Sequence, residues 1–131
     1  LFNEKNNGLA VKDLIQAKLI SSVHDISSGG LLVALSEMCI SGKIGAKIKA
    51  PYGKIGMYEY FFGEDQSRYL IEVNSKNKDK VSNILKKNSI YFEELGNTQK
   101  DNLDIERDLS ISVEELSKIN SFWFDNYFGE K

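Results

Sequence analysis

Cysteine and proline are nearly absent from this chain of 131 residues, which contains one of each. A single cysteine supplies neither a disulfide framework nor a paired-cysteine metal site, and the apolar stretch around Cys39 indicates a small buried hydrophobe. No apolar run approaches the ~20 residues that span a bilayer. The polar residues 3–7 exclude a signal-peptide pattern. We therefore expect a reducing, cytoplasmic setting and no membrane association.

An excess of charge of one sign is also missing, because the formal net charge is −2 and no basic block stands out. Nucleic-acid binding is therefore not expected, since it needs a concentrated basic face. Hydrophobic residues make up 41% of the chain and charged residues 27%, which is typical of a globular protein. The length fits a single domain over residues 1–131. Because the chain begins with leucine, we expect it to be part of a longer protein.

Hydrophobic periodicity predicts an α+β fold with a mixed sheet. The predicted helices are 9–19, 31–40, 77–88 and one that begins after a capping box at Ser112 and runs into the aromatic residues 122–128. The predicted strands are 20–26, 44–50, 68–73, 90–95 and 103–105. The segment 57–62 fits either a helix or a strand, and the only proline opens a loop at 51–56. Neighbouring strand pairs are too closely linked for parallel crossovers, which favours the mixed sheet.

A polar turn with two glycines lies between a predicted strand and a predicted helix, in His24-Asp-Ile-Ser-Ser-Gly-Gly-Leu. Free N–H groups and the positive dipole end of a helix favour an anion, and glycines allow it to approach closely. The candidate anion-binding residues are Ser27, Ser28, Gly29 and Gly30. The alternative is a tight connection in which serine caps the helix. The spacing matches neither the P-loop nor the dinucleotide fingerprint.

The adjacent His24 and Asp25 suggest a general base and a carboxylate that orients it. Neighbours on a strand point to opposite faces, however, so only one of the two faces a given site unless the turn intervenes. The alternative is a structural role in which one side chain bonds the turn amides.

A second polar turn, Gly63-Glu-Asp-Gln-Ser-Arg, precedes a predicted core strand. Its adjacent carboxylates Glu64 and Asp65 suggest oxygen ligands for Mg²⁺, with a solvated loop as the alternative. Arg68 is suited either to gripping a phosphate or to pairing with one of these carboxylates. The aromatic residues at 58–62 and 122–128 are interpreted as core or interface rather than as a base-stacking platform.

The two turns together resemble the phosphoribosylformylglycinamidine synthase family. His24-Asp-Ile-Ser-Ser-Gly-Gly-Leu is similar to the family's His-Asp-Val-Ser-Asp-Gly-Gly-Leu. Phe62-Gly-Glu-Asp-Gln-Ser-Arg-Tyr-Leu-Ile-Glu-Val is similar to Phe-Gly-Glu-Ser-Gln-Ser-Arg-Tyr-Leu-Val-Glu-Val. The start at Glu4-Lys-Asn-Asn-Gly and the end from Ser112 to Phe128 resemble the family too, so the match spans nearly the whole chain. The region that it resembles is the last domain of the synthetase subunit.

The resemblance implies a fold shared with the C-terminal domain of aminoimidazole ribonucleotide synthetase. It implies a C–N ligase that makes formylglycinamidine ribonucleotide from formylglycinamide ribonucleotide, ATP and glutamine-derived ammonia in purine synthesis. ATP and Mg²⁺ are then held mainly by preceding domains of the same subunit. The implied partners are those domains, a glutaminase subunit, a small bridging subunit and the small-molecule substrate.

By the same resemblance, this chain contributes one wall of a cleft. The first turn supplies His24, Asp25, Ser27, Ser28, Gly29 and Gly30, and the second supplies Gly63, Glu64, Gln66, Ser67 and Arg68. No catalytic or metal-binding residue is assigned, and the isolated chain is expected to be inactive. Ser28 replaces a second aspartate of the family motif, which removes a carboxylate from the turn. The alternatives are another ATP-using relative of aminoimidazole ribonucleotide synthetase and a scaffold domain that docks through its aromatic tail.

Overall fold

The structure is a computed structural model that describes residues 2–50 and 56–129, so most of the loop predicted at 51–56 lies outside the described residues. Two compact units make up the chain. Unit 1 consists of Leu1–Leu35 and Tyr58–Glu94, and unit 2 consists of Ser36–Met57 and Leu95–Lys131. The elements are α1 (Phe2–Gln16), β1 (Ser22–Asp25), α2 (Gly30–Gly42), β2 (Gly45–Ile48), α3 (Met57–Phe62), β3 (Tyr69–Glu72), a 3₁₀ helix (Ser75–Asn77), α4 (Lys78–Lys87), β4 (Gly96–Gln99), β5 (Asn102–Ile105), β6 (Leu109–Ser112) and α5 (Val113–Phe128).

Unit 1 is built on an antiparallel ribbon of β1 and β3, with Ser22 opposite Glu72 and Asp25 opposite Tyr69. One cluster of its buried side chains joins α1 to α4 and consists of Ala10, Leu14, Leu19, Val81 and Leu85. Burying this apolar surface is the main source of stability in the unit.

The buried side of α1 is formed by Ala10 and Leu14, whereas the apolar residues Leu9 and Ile15 are 46% and 50% exposed. The helix ends at Gln16, two residues before Lys18 takes a left-handed conformation with φ 53°. The Leu19 N–H then donates to the Leu14 carbonyl at 3.1 Å, which folds Leu19 back toward the helix. The apolar residue beyond the helix end thus joins the core through this turn.

Unit 2 contains a four-stranded sheet in the order β4-β2-β5-β6. Strand β2 is antiparallel to β4 and parallel to β5, and β5 is antiparallel to β6. The prediction of a mixed sheet is therefore confirmed. The first residue of β5 passes close to Gly45, where an added Cβ would lie 2.1 Å from the Asn102 carbonyl oxygen. A side chain at position 45 would block this close approach of the two strands.

Three sequence-based predictions of elements differ from the structure. The strand predicted at 90–95 is wrong, since β4 occupies Gly96–Gln99, within the predicted connection. Strand β6 was not predicted, and α1 begins at Phe2 rather than at residue 9. Strand β4 has no alternating apolar pattern, and its register on β2 is made by backbone pairing that composition does not reveal.

The ambiguous segment at 57–62 forms the helix α3, in which Phe61 is buried. Within residues 2–50 and 56–129, no helix is both long and apolar enough to cross a membrane.

Candidate functional site

The two polar turns lie side by side at one end of the β1–β3 ribbon. Because β1 ends at Asp25 directly opposite the start of β3 at Tyr69, the segment after β1 runs beside the segment before β3. The Ile26 N–H donates to the Arg68 carbonyl at 2.9 Å and extends this pairing into the turns. We call residues 24–30 and 63–68 together the paired turns.

The start of α2 already holds a negatively charged group that belongs to the chain itself. The Gly29 N–H donates to Oε1 of Glu64 at 2.7 Å. The Gly30 N–H donates to the Ser27 carbonyl at 3.0 Å. A carboxylate beside the amides of a helix start is stabilised by their partial positive charge. The contact with Glu64 shows that the Gly29 amide is directed at an anionic oxygen.

Gly30 makes this arrangement sterically possible. It is buried and takes φ 72°, a left-handed conformation that costs residues with a Cβ about 1–2 kcal/mol. A Cβ there would lie 2.7 Å from the Phe61 carbonyl oxygen and from backbone atoms of Phe62. The start of α2 therefore packs directly on the end of α3, which brings the following turn and its Glu64 within reach of Gly29.

His24 and Asp25 do not form the hydrogen bond of a base and an orienting carboxylate. Nδ1 of His24 lies 2.6 Å from the Asp25 backbone carbonyl but 3.8 Å from Oδ1 of Asp25, beyond hydrogen-bond distance. The two residues sit opposite Leu70 and Tyr69 in the ribbon. The geometry supports a structural role for His24, through a backbone carbonyl rather than through the turn amides.

In the second turn, Arg68 forms contacts within its own loop. Its Nη1 donates to the Gly63 carbonyl at 3.2 Å and lies 3.4 Å from Oδ2 of Asp65, so it takes the ion-pair alternative. The Ser67 Oγ is buried without a hydrogen-bond partner, and Ser67 takes φ 70°. Ser27, Ser28 and Gln66 are exposed at the surface of the paired turns.

Asn7 contributes to the site from α1, and the sequence reasoning did not include it. Its Nδ2 donates to the Ser67 carbonyl at 2.9 Å, a contact across 60 residues of sequence. The signal that could have found it is the Glu4-Lys-Asn-Asn-Gly segment, which belonged to the resemblance but received no structural role.

The charge balance of the paired turns is acidic. They carry three carboxylates, on Asp25, Glu64 and Asp65, against the single guanidinium of Arg68. In the part of the chain that the structure describes, no group of three or more His, Cys, Asp or Glu side chains is arranged to hold a metal ion. Among these residues, no third His, Cys, Asp or Glu side chain therefore joins the suggested Mg²⁺ pair of Glu64 and Asp65.

Tyr60 lies on α3 just before Phe61, and its hydroxyl donates to Oε1 of Glu93. Burial is the main cause that raises the pKa of Tyr60, and the hydrogen bond and charge of Glu93 add to it. The hydroxyl therefore stays protonated and acts as a donor that ties α3 to the segment after α4.

These features define a class of protein. It is an α+β domain in which two polar turns meet at one end of a two-stranded ribbon, next to a helix that begins at a glycine. A family described as "AIR synthase related protein, C-terminal domain" matches residues 1–107. The chain belongs to this family. Helix α5 lies beyond the matched residues.

Two similar curated proteins carry the same name. The chain is 46% identical over 127 residues to the phosphoribosylformylglycinamidine synthase subunit PurL of Pelagibacter ubique. This alignment covers 97% of this chain and 17% of that protein. It is 38% identical over 128 residues to the same subunit from Rhodopseudomonas palustris strain BisB5, covering 98% and 17%. The chain thus spans about a sixth of the length of these relatives. The resemblance recognised in the sequence is confirmed.

Solved structures support the fold. A Thermotoga maritima PurL structure described as complexed with FGAR aligns with a TM-score of 0.74 at 19% identity, covering 87% of this chain and 21% of that one. A second, described as complexed with ATP, aligns with a TM-score of 0.73 over 86% and 21%. The α+β fold class and its likeness to this superfamily are confirmed.

Proposed function

We propose that this chain is the C-terminal part of a PurL-type synthetase subunit and acts as one domain of it. The identity of 46% over 97% of the chain carries this proposal. The family match across residues 1–107 includes parts of both compact units, which supports their acting together. The full protein would then be an ATP-dependent C–N ligase that converts formylglycinamide ribonucleotide to formylglycinamidine ribonucleotide in purine biosynthesis.

The role proposed for the paired turns is one wall of a nucleotide or substrate cleft. The Gly29 amide fits an anionic oxygen, because it already donates to the Glu64 carboxylate. A phosphate oxygen would compete with that carboxylate for the same N–H. Since the turns carry more carboxylates than cationic groups, most of the positive charge that neutralises a phosphate would have to come from other domains.

ATP would activate the amide oxygen of formylglycinamide ribonucleotide. The residues of the paired turns would orient and enclose the substrate or nucleotide and would not themselves react with it. As the resemblance implies, we assign Mg²⁺ mainly to the preceding domains of the subunit. A glutaminase subunit and a small bridging subunit are the proposed partners, and a structure titled "Structure of PurLQS from Thermotoga maritima" supports the existence of such assemblies among relatives. A cytoplasmic location stays a prediction.

The test is replacement of the matching 127 residues of a PurL subunit by this chain. The chimera should restore growth of a purine auxotroph that lacks the subunit and should form formylglycinamidine ribonucleotide in vitro. The chain alone should show no ATP-dependent turnover. A chimera that folds, shown by an unchanged melting profile, but neither rescues growth nor turns over substrate would overturn the proposal.

The two alternatives differ in their support. Another ATP-using relative of aminoimidazole ribonucleotide synthetase is disfavoured, since the relatives quoted above are all PurL subunits. A docking role for the aromatic tail is favoured by one observation, because Trp123 is 64% exposed. The two roles are compatible when the docking takes place within the synthase.

A further inference from the structure

Helix α5 carries an apolar face that its own unit leaves open. A shallow groove on it is lined by Ile119, Phe122, Trp123, Asn126 and Tyr127, which we call the α5 face. Trp123 and Tyr127 stack on each other with ring centroids 5.7 Å apart. Exposed apolar patches of this kind mark interaction surfaces.

Only the beginning of α5 is anchored in unit 2. Val113 is buried, and its N–H donates to the Asp101 carbonyl at 2.9 Å. From Ile119 onward the large apolar side chains are 57–73% exposed. The helix therefore begins in the sheet and then presents its aromatic residues outward.

We infer that the α5 face docks onto the remainder of the longer PurL-type polypeptide to which this chain is proposed to belong. This inference rests on the proposed function. The relatives extend over about six times the length of this chain, so a large protein surface is available in the same polypeptide. Helix α5 lies beyond the family match, which ends at residue 107, but largely within the 97% of the chain that aligns with the Pelagibacter ubique subunit.

The size of the face favours this occupant over a second copy of the chain. The exposed part of α5, residues 119–128, spans about 15 Å, and a face about 10 Å wide offers roughly 150 Å². A stable complex of separate proteins buries about 800 Å² on each partner. A covalently connected surface needs far less area, because the connection supplies a high effective concentration. The lining side chains carry no charge, which also argues against a nucleic acid or an anionic membrane.

The experiment compares amide hydrogen exchange of α5 in the chain alone and in the full-length subunit. We expect at least about tenfold slower exchange for the amides of residues 119–128 in the full-length subunit. Trp123→Ser in that subunit should remove this additional protection. Tyr58→Ser, which changes an aromatic side chain that is 75% exposed on α3, should leave it unchanged.

The melting temperature of the chain alone shows whether a variant loses protection merely because it is less stable. Since Trp123 is exposed there, Trp123→Ser should leave its melting temperature unchanged; if it does not, Phe122→Ser serves as the second variant. The inference is overturned if exchange is equally fast in the full-length subunit, if a dimer of the chain alone protects α5, or if protection requires a separate subunit. Loss of activity with α5 protected would refute the proposed function only, and activity with α5 unprotected would refute this inference only.

Discussion

The Glu64 carboxylate accepts a hydrogen bond from the Gly29 backbone N–H at 2.7 Å, across 35 residues of sequence. This contact joins the two turns that the sequence singled out separately. The carboxylate of Glu64 thus occupies the position at the start of α2 where the helix would otherwise attract an external anion. The first question to test is therefore which group accepts the hydrogen bond of the Gly29 N–H.

Glu64→Ala should lower the free energy of unfolding of the chain by about 0.5–2 kcal/mol, because the helix start loses an acceptor equivalent to a cap. Urea unfolding followed by circular dichroism measures this change. Glu59→Ala removes an exposed carboxylate from α3 and should change stability by less. In the full-length subunit, Glu64→Gln should lower KM for the anionic ligand that competes for the amide. An unchanged KM for ATP and for formylglycinamide ribonucleotide would count against the proposed cleft role.

Gly30→Ala should destabilise the chain by at least about 1–2 kcal/mol, because it combines left-handed strain with a clash against backbone atoms of α3. Gly8→Ala should have the opposite sign. Gly8 lies inside α1, where a Cβ meets only the Tyr69 hydroxyl at 3.5 Å, so the substitution should stabilise by about 0.5–1 kcal/mol. Thermal unfolding of the two variants side by side checks the contrast, and equal shifts would contradict it.

Ser112→Ala should cost about 1 kcal/mol, because Ser112 Oγ accepts the Glu115 N–H at 3.1 Å at the start of α5. Ser112→Asp should retain most of the stability. Ser121→Ala, at an exposed position within the same helix, should not destabilise. Chemical denaturation of the three variants measures the differences, and a Ser112→Ala variant as stable as Ser121→Ala would show that the cap is unimportant.

Gln99→Glu should destabilise by about 1–3 kcal/mol, because the Gln99 amide donates to the Asn102 carbonyl at 2.8 Å and to Oδ2 of Asp104 at 2.7 Å. A carboxylate in its place would lose both donors and face Asp104. Asn97→Asp makes the same charge change at an exposed position of β4 and should cost less. Equal losses of stability in the two variants would refute this role of Gln99.

Acid should weaken the chain through Asp104. Hydrogen bonds from Gln99, then from Ser110, lower the pKa of Asp104 below the ordinary 3.8. A group with a lowered folded pKa stabilises fully above its unfolded pKa and loses that contribution as the pH falls through the folded value. Asp104→Asn should therefore flatten the decline in stability below pH about 4, and Ser110→Ala should flatten it partly. If the free energy of unfolding of both variants falls with pH as steeply as that of the unmodified chain, Asp104 is not a source of acid sensitivity.

Several features of the fold follow from local sequence alone. The helix start at Ser112 was predicted from a serine with a glutamate three residues on, and the Ser112 Oγ accepts the Glu115 N–H within one turn of helix. The strand before Val73 and the helix after the glycine turn were predicted from apolar composition, although no residue of that strand is fully buried. Strand β4 was missed because Gly96–Gln99 has no apolar alternation and is defined by hydrogen bonds to the distant strand β2. Strand β6 does alternate apolar residues with serine, but it has only four residues and runs directly into the helix start at Ser112.

The sequence by itself determined the family, the mixed α+β fold and the two turns of the candidate site, because glycine, serine and carboxylate residues act through local backbone chemistry. Only the tertiary structure decided that Glu64, rather than Asp65, reaches Gly29, that Asn7 holds the second turn, and that the aromatic residues of α5 remain exposed. These outcomes depend on which distant segments pair. Backbone hydrogen-bonding groups are the same in nearly every residue, so that pairing is not written in local composition.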